Sequence, residues 1–221
     1  MNSAADSAPT CQDVLVIRRL IEAVLTYTLA PVNIIAHSTG VTLARAAIQG
    51  KATMNDCQLG TSVADRVLVF VGIAGANYGT CQCLRSSSQD KPLCSASSGF
   101  HPGSCGVEDE AASCAEASSR CDNLKYSQFL KRINDASAKD AEFVASLLSR
   151  DDRVVGCSAW GWKTSLIPRS NDVIEYENAT HWEMKDDTIA KQYELIMDRP
   201  EYKTKKEKQA ALSPTISPRV S

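Results

Sequence analysis

An apolar run that ends abruptly in a turn of small residues constrains this chain more than any other stretch: VNIIAHSTGVTLARAAIQG, from Val32 to Gly50. Val32, Ile34 and Ile35 have the β-branched composition of a buried parallel strand. Val41, Ala44, Arg45 and Ile48 then recur at helical spacing, and Gly50 stands where a helix C-cap falls. A strand feeding directly into a helix predicts a strained turn centred on Ser38 that lifts its hydroxyl clear of the sheet. Such a turn calls for small residues two places before and after, and Ala36 and Gly40 occupy them. The pattern is the GxSxG nucleophile elbow with Ala at its first small position.

The 221 residues can bury one substantial core, so one domain is expected. A formal charge of -2, with both signs interspersed, supplies no basic field and argues against nucleic acid as a partner. No apolar run approaches the ~20 residues needed to span a bilayer, so no stable membrane anchor is expected. The opening MNSAADSAPT lacks the basic and apolar regions of a secretory signal. Nine cysteines nevertheless point to an oxidising compartment. Cys81, Cys83, Cys94, Cys105, Cys114 and Cys121 crowd into a segment rich in Ser, Gly and Pro, where a long loop without a core needs staples. Zinc is the competing reading, but no CxxC pair has a matching partner there, and disulfides are favoured. Cys11, Cys57 and Cys157 lie outside the segment, and the odd total leaves at least one thiol over.

Before the elbow, Val14, Ile17, Ile21, Val24 and Leu25 share a helical face between Cys11 and Leu29. After it, the continuous apolar run from Val67 to Ile73 reads as a strand buried on both faces. The cysteine-rich insertion, 77–122, follows, then a short helix from Tyr126 to Asn134. Phe143 to Leu148 reads as a third strand and Val173 to Tyr176 as a fourth. A last helix spans about Asp187 to Met197, with Ile189, Tyr193 and Ile196 on one face. This alternation predicts an α/β fold with a parallel sheet covered by helices on both faces. Residues 1–10 and the tail, 198–221, with its basic run and two prolines, read as disordered.

Ligands of such sheets bind beyond the carboxyl ends of the strands. Ser38, the Asp151/Asp152 pair and His181 each follow the end of a different strand, in the chain order Ser, Asp, His. A Ser hydroxyl needs a base within hydrogen-bond reach and an acid to orient that base. Among three histidines, His37 neighbours the Ser within the elbow and is expected to point away as a packing or hydrogen-bonding residue. His101 reads as a loop residue, which leaves His181 as the general base. Asp152 is preferred as the acid because Val154 and Val155 follow it at the spacing typical of α/β-hydrolases, with Asp151 as a solvated neighbour. The backbone N–H of Thr39 is expected to donate to an oxyanion.

IIAHSTGVTLARAAIQG, VGIAGANYGTCQC, SRDDRVVG and WGWKTSLIP resemble the class 2 lipase family, secreted nematode-type α/β-hydrolases similar to small bacterial lipases. The resemblance runs from about Cys11 to Met197. It implies a serine esterase or lipase acting on acylglycerols or short-chain esters, without metal or other cofactor, in the extracellular space. Its partner would be an ester or lipid substrate, including one presented at a lipid–water interface. Two positions depart from the family: Thr180 replaces the usual Gly before the catalytic His, and Asn178 opens the sequon Asn178, Ala179, Thr180, where a glycan would crowd the base.

The resemblance also implies that several central strands, with the loop that supplies a second oxyanion donor, come before the elbow helix in the family. Their absence here predicts an N-terminally truncated domain in which Val32 to Ala36 forms an open, apolar sheet edge. Losing one oxyanion donor costs ~2.7 to 4 kcal/mol of transition-state stabilisation. The alternative function is therefore a catalytically impaired or inactive hydrolase-like protein, with the disulfide-rich insertion as a binding or structural module.

Overall fold

The structure is a computed structural model that describes residues 7–50, 57–83, 91–103, 126–156 and 158–197. Strands β1 (Val32–His37), β2 (Val67–Ile73), β3 (Phe143–Ser149) and β6 (Asp172–Tyr176) form one parallel sheet in the order β1-β2-β3-β6. A separate antiparallel pair, β4 (Ser158–Ala159) and β5 (Trp162–Lys163), has no counterpart among the expected strands. Each parallel connection carries the chain back across the sheet, so successive strand ends emerge on the same side.

The residues of β2 divide between two cores. Val67 and Phe70 pack with α1 (Cys11–Thr28), α2 (Thr39–Gln49) and α3 (Gln128–Ile133) on one face. Val69, Val71 and Ile73 pack with Ala145, Leu147, Met184 of α4 (Glu183–Asp187) and Leu195 of α5 (Ile189–Met197) on the other. The sheet is thus an α/β sheet with helices on both faces, and its central strands read as continuous apolar runs for that reason. β1 stands at the sheet edge with Ile35 45% exposed.

Thr10 starts α1: its hydroxyl accepts from the Asp13 N–H while Asp13 accepts from the Thr10 N–H, a capping box with Asp in the usual Glu place. The expectation of disorder through Thr10 is therefore corrected at its end, where this cap fixes the chain. Residues 1–6 and the tail, 198–221, lie outside the described residues. The expected face of α1 is also corrected at Val24, which is exposed while Val14, Ile21 and Leu25 are buried. At 100° per residue Val24 lies roughly 80° from Val14, and the inward position goes to Arg18 instead. Arg18 is buried because its guanidinium donates to the carbonyls of Ala47 and Thr61.

The last helix differs more. Its span is matched by α5, with α4 preceding it, but Ile189 and Tyr193 are exposed rather than inward. Gln192 and Leu195 face inward, because the Gln192 amide donates to the Lys185 carbonyl and the Thr188 hydroxyl and so sets the phase of α5.

Disulfides join Cys83 to Cys94 within the insertion and Cys11 to Cys57 across 46 residues, the latter tying the start of α1 to the loop beyond α2. Cys81 is disulfide-bonded too. Cys105, Cys114, Cys121 and Cys157 lie outside the described residues. No helix among the described residues is long and apolar enough to cross a membrane.

Candidate active site

β1 ends where the Ser38 N–H donates to the Ile73 carbonyl at 2.9 Å, which keeps the turn in register with β2. Ser38 itself takes φ 58° and ψ -137°, a conformation that a residue with a Cβ holds only when its surroundings impose it. The next residue is already the first of α2, so the Thr39 N–H sits among the unsatisfied donors of a helix N-terminus. It has no hydrogen-bond partner among the described residues. Gly50 closes α2 in the left-handed region at φ 72°.

Of the two small elbow positions, Ala36 packs against the core beneath α1 and α2. Gly40 differs from expectation: a Cβ built there would meet nothing within 4 Å. The crowding lies across the sheet, at Gly72, where a Cβ would stand 2.5 Å from Ile167 Cδ1 and 3.0 Å from Val41 Cγ1.

Three side chains from three strand ends converge. The Ser38 hydroxyl donates to His181 Nε2 at 2.8 Å, and His181 Nδ1–H donates to Asp152 Oδ2 at 2.7 Å. Of the two neutral tautomers, only the one protonated at Nδ1 makes both bonds at once. Asp152 and His181 are almost fully buried. The second carboxylate oxygen of Asp152 accepts from the N–H groups of Val154 and Val155, which fixes the carboxylate plane. Ser38, His181 and Thr39 line a cavity of about 860 Å³. Its apolar wall includes Ile17, Leu43, Leu93, Phe100, Val154 and Val155, and Ser7 to Thr10 close one side. A small-molecule site has this character, a mostly apolar cleft with a few convergent polar groups.

The neighbouring carboxylate, Asp151, is not merely solvated. It accepts from the Asn178 N–H at 2.9 Å and so secures the turn before His181. Asn178 is exposed there, at φ 62°. Thr180, at the position usually held by Gly in the family it resembles, exchanges hydrogen bonds with Glu183 across the start of α4. The N–H of Thr180 also holds the Glu183 carboxyl below its ordinary range. His101 stays in its loop, where its carbonyl accepts from the Ser127 N–H. No group of three or more potential metal ligands occurs among the described residues.

Sequence reasoning missed the cavity wall, because Ser7 to Thr10, Lys91 and Leu93 reach it from segments with no periodicity. It also missed the ties on the His181 loop: a carbonyl accepting from a distant side chain leaves no mark in either local sequence.

The family described as Lipase (class 2) matches the chain over residues 1–194. Among solved structures, the Paleococcus ferrophilus monoacylglycerol lipase resembles it at 11% identity and a TM-score of 0.43, over 86% of this chain and 76% of that one. No curated protein matches the chain.

Proposed function

The chain belongs to the class 2 lipase family, and from that premise we propose that it is a serine carboxylester hydrolase acting on acylglycerols or short-chain esters through Ser38, His181 and Asp152. The observation that carries this reading is the unbroken relay from Asp152 through His181 to a Ser38 hydroxyl held at positive φ on the wall of an apolar cavity. In acylation, Ser38 Oγ attacks the ester carbonyl carbon as His181 Nε2 takes its proton. The carbonyl oxygen becomes an oxyanion, to which the Thr39 N–H donates. Collapse breaks the bond to the alkoxide, His181 returns the proton to it, and an acyl-Ser38 ester and a free alcohol result. Water then repeats the sequence, releasing the carboxylic acid and restoring Ser38. Asp152 stays ionised and stabilises the imidazolium formed in each half-reaction.

The bonded pairs Cys11–Cys57 and Cys83–Cys94 support an oxidising, extracellular setting for this activity. Turnover of a short-chain chromogenic ester, abolished by Ser38→Ala, tests the proposal together with labelling of Ser38 by a fluorophosphonate. Folded, oxidised protein that neither turns over the ester nor takes the label would overturn it in favour of a non-catalytic hydrolase-like protein.

A further inference from the structure

Beside the cavity lies one titratable ring that the proposed proton path does not use. His37 closes β1, immediately before Ser38, and its Nε2–H donates to the backbone carbonyl of His181 at 2.9 Å. Its ring centre lies 4.7 Å from that of His181 and 5.9 Å from that of Trp182. Because the acceptor is a carbonyl oxygen, the proton is on Nε2 in the neutral ring.

The chain leading into His181 is held from the opposite side. The Ser149 hydroxyl donates to the Ala179 carbonyl at 2.6 Å, and Asp151 accepts from the Asn178 N–H. Both anchors belong to the end of β3, the strand that delivers Asp152. The approach to His181 is therefore tied to the strand of the acid, while its own carbonyl is tied to the strand of the nucleophile. A base that must reach both partners needs both ties. Rotamer preferences fix an imidazole relative to its own backbone, but they do not fix that backbone relative to another strand.

We infer that His37 is a positioning residue: its hydrogen bond to the His181 carbonyl sets the separation between His181 Nε2 and Ser38 Oγ. The inference rests on the proposed Ser38–His181–Asp152 hydrolase. Ser38 directly follows His37, so the elbow itself carries the ruler that places its base. Trp182, against the outer side of both rings, completes the packing that keeps His37 in this orientation.

Two substitutions separate the hydrogen bond from the space the ring fills. His37→Gln keeps an amide N–H near the Nε2 position; His37→Met fills similar volume without a donor. In the oxidised full chain, His37→Met is expected to lose about ten- to hundred-fold in kcat, the scale of a displaced catalytic group. KM should move less than ~2-fold in both variants, and His37→Gln should retain most of the wild-type kcat. A second readout is independent of turnover: the low-field NMR signal of the His181 Nδ1–H bonded to Asp152 should persist in wild type and His37→Gln and broaden or shift in His37→Met. If His37→Met does not fold, His37→Asn, whose amide is too short to reach the Nε2 position, takes its place. A donorless variant with wild-type kcat and an unchanged low-field signal would overturn the inference. Equal losses in the donorless and Gln variants would overturn it as well, because space rather than donation would then matter. Wild-type protein with no turnover and no labelling would overturn the hydrolase reading, and the low-field signal alone would then decide the role of His37.

Discussion

Two buried assemblies of charged and polar side chains flank the elbow, and they are built on opposite plans. On the α2 side, Arg45 is fully buried and every nitrogen of its guanidinium is engaged. It donates to Asp140, to the side-chain oxygens of Asn77 and Asn134, and to the Ile133 carbonyl. The other oxygen of Asp140 accepts from Gln49. On the other side, Asp152 and His181 are as deeply buried, but the line of hydrogen bonds ends at a single hydroxyl on a cavity wall. A cluster whose buried cation and carboxylate are held by each other and by neighbouring amides and a carbonyl fixes structure. An open-ended relay has one free terminus, and chemistry can happen there.

The largest effect should come from attacking the relay. Asp152→Asn is expected to lower kcat by about 10⁴-fold, since the amide no longer favours the tautomer that leaves Nε2 free to accept. Its thermal stability should fall by only roughly 1 kcal/mol, because the amide oxygen can still accept from Val154 and Val155. Kinetics and a melting curve on the same sample would expose a larger structural role if the two losses proved comparable.

Arg45→Met reverses the pattern. Removing the cation leaves Asp140 buried and uncompensated, at a cost of about 3 to 5 kcal/mol, while kcat per folded molecule should change far less than in Asp152→Asn. Adding Asp140→Leu should recover much of the lost stability, since a buried pair replaced by apolar groups is often neutral. Urea denaturation of the single and double variants measures this. A double variant no more stable than Arg45→Met would mean that Asn77, Asn134 and Gln49, rather than the ion pair, hold the cluster together.

The relay was far more legible in the sequence than the cluster. Ser38, Asp152 and His181 could be found because each follows a strand whose apolar run is visible, and strand ends in a parallel sheet gather on one side. Arg45 looked like one more position on a helical face; only tertiary packing brings Asp140 to it from 95 residues away. Of the three residues expected on the inward face of α5, Ile196 packs against the core but Ile189 and Tyr193 face out. Ile189, Tyr193 and Ile196 match a helical period, yet the hydrogen bonds of Gln192 rotate a polar residue inward. The hydrogen bonds of a buried polar group override apolar periodicity, here through partners only four and seven residues away. Cys11 and Cys57 lay outside the obvious cysteine cluster and are nonetheless bonded, because pairing follows proximity in space.

The glycines refine the contrast between fixed and open sides. Gly72→Ala should destabilise by about 1 to 3 kcal/mol, because its Cβ would press on Ile167 and Val41 between two packed elements. Gly40→Ala, inside α2 and facing open space, should stabilise by roughly 0.5 to 1 kcal/mol through helix propensity. Paired melting curves decide this. A Gly40→Ala variant as damaged as Gly72→Ala would restore the elbow requirement for a small residue at that place.

The smallest expected effect follows from applying one force to a group on each side. Burial lowers the pKa of Arg45 and of His37 alike. Arg45 starts far above neutral pH and keeps its charge there, whereas His37 starts at 6.5 and is pushed further toward the neutral ring. Desolvation is the first cause at His37; the donation to the His181 carbonyl and the charge of Asp152 oppose it, and His181 and Lys185 reinforce it. With the folded value depressed, the unfolded chain binds more protons between the two values, so this contribution is complete above about pH 6.5 and is lost as pH falls toward the folded value. His37 is only half-buried, and solvent screening keeps the effect small. His37→Gln removes the titration, so the melting temperatures of wild type and variant should converge or cross as the pH drops from 8 to 5, the remaining titrating groups being common to both. A difference that stays constant over that range would show that His37 is as indifferent to protons as Arg45, and the elbow side would then be as fixed as the cluster behind it.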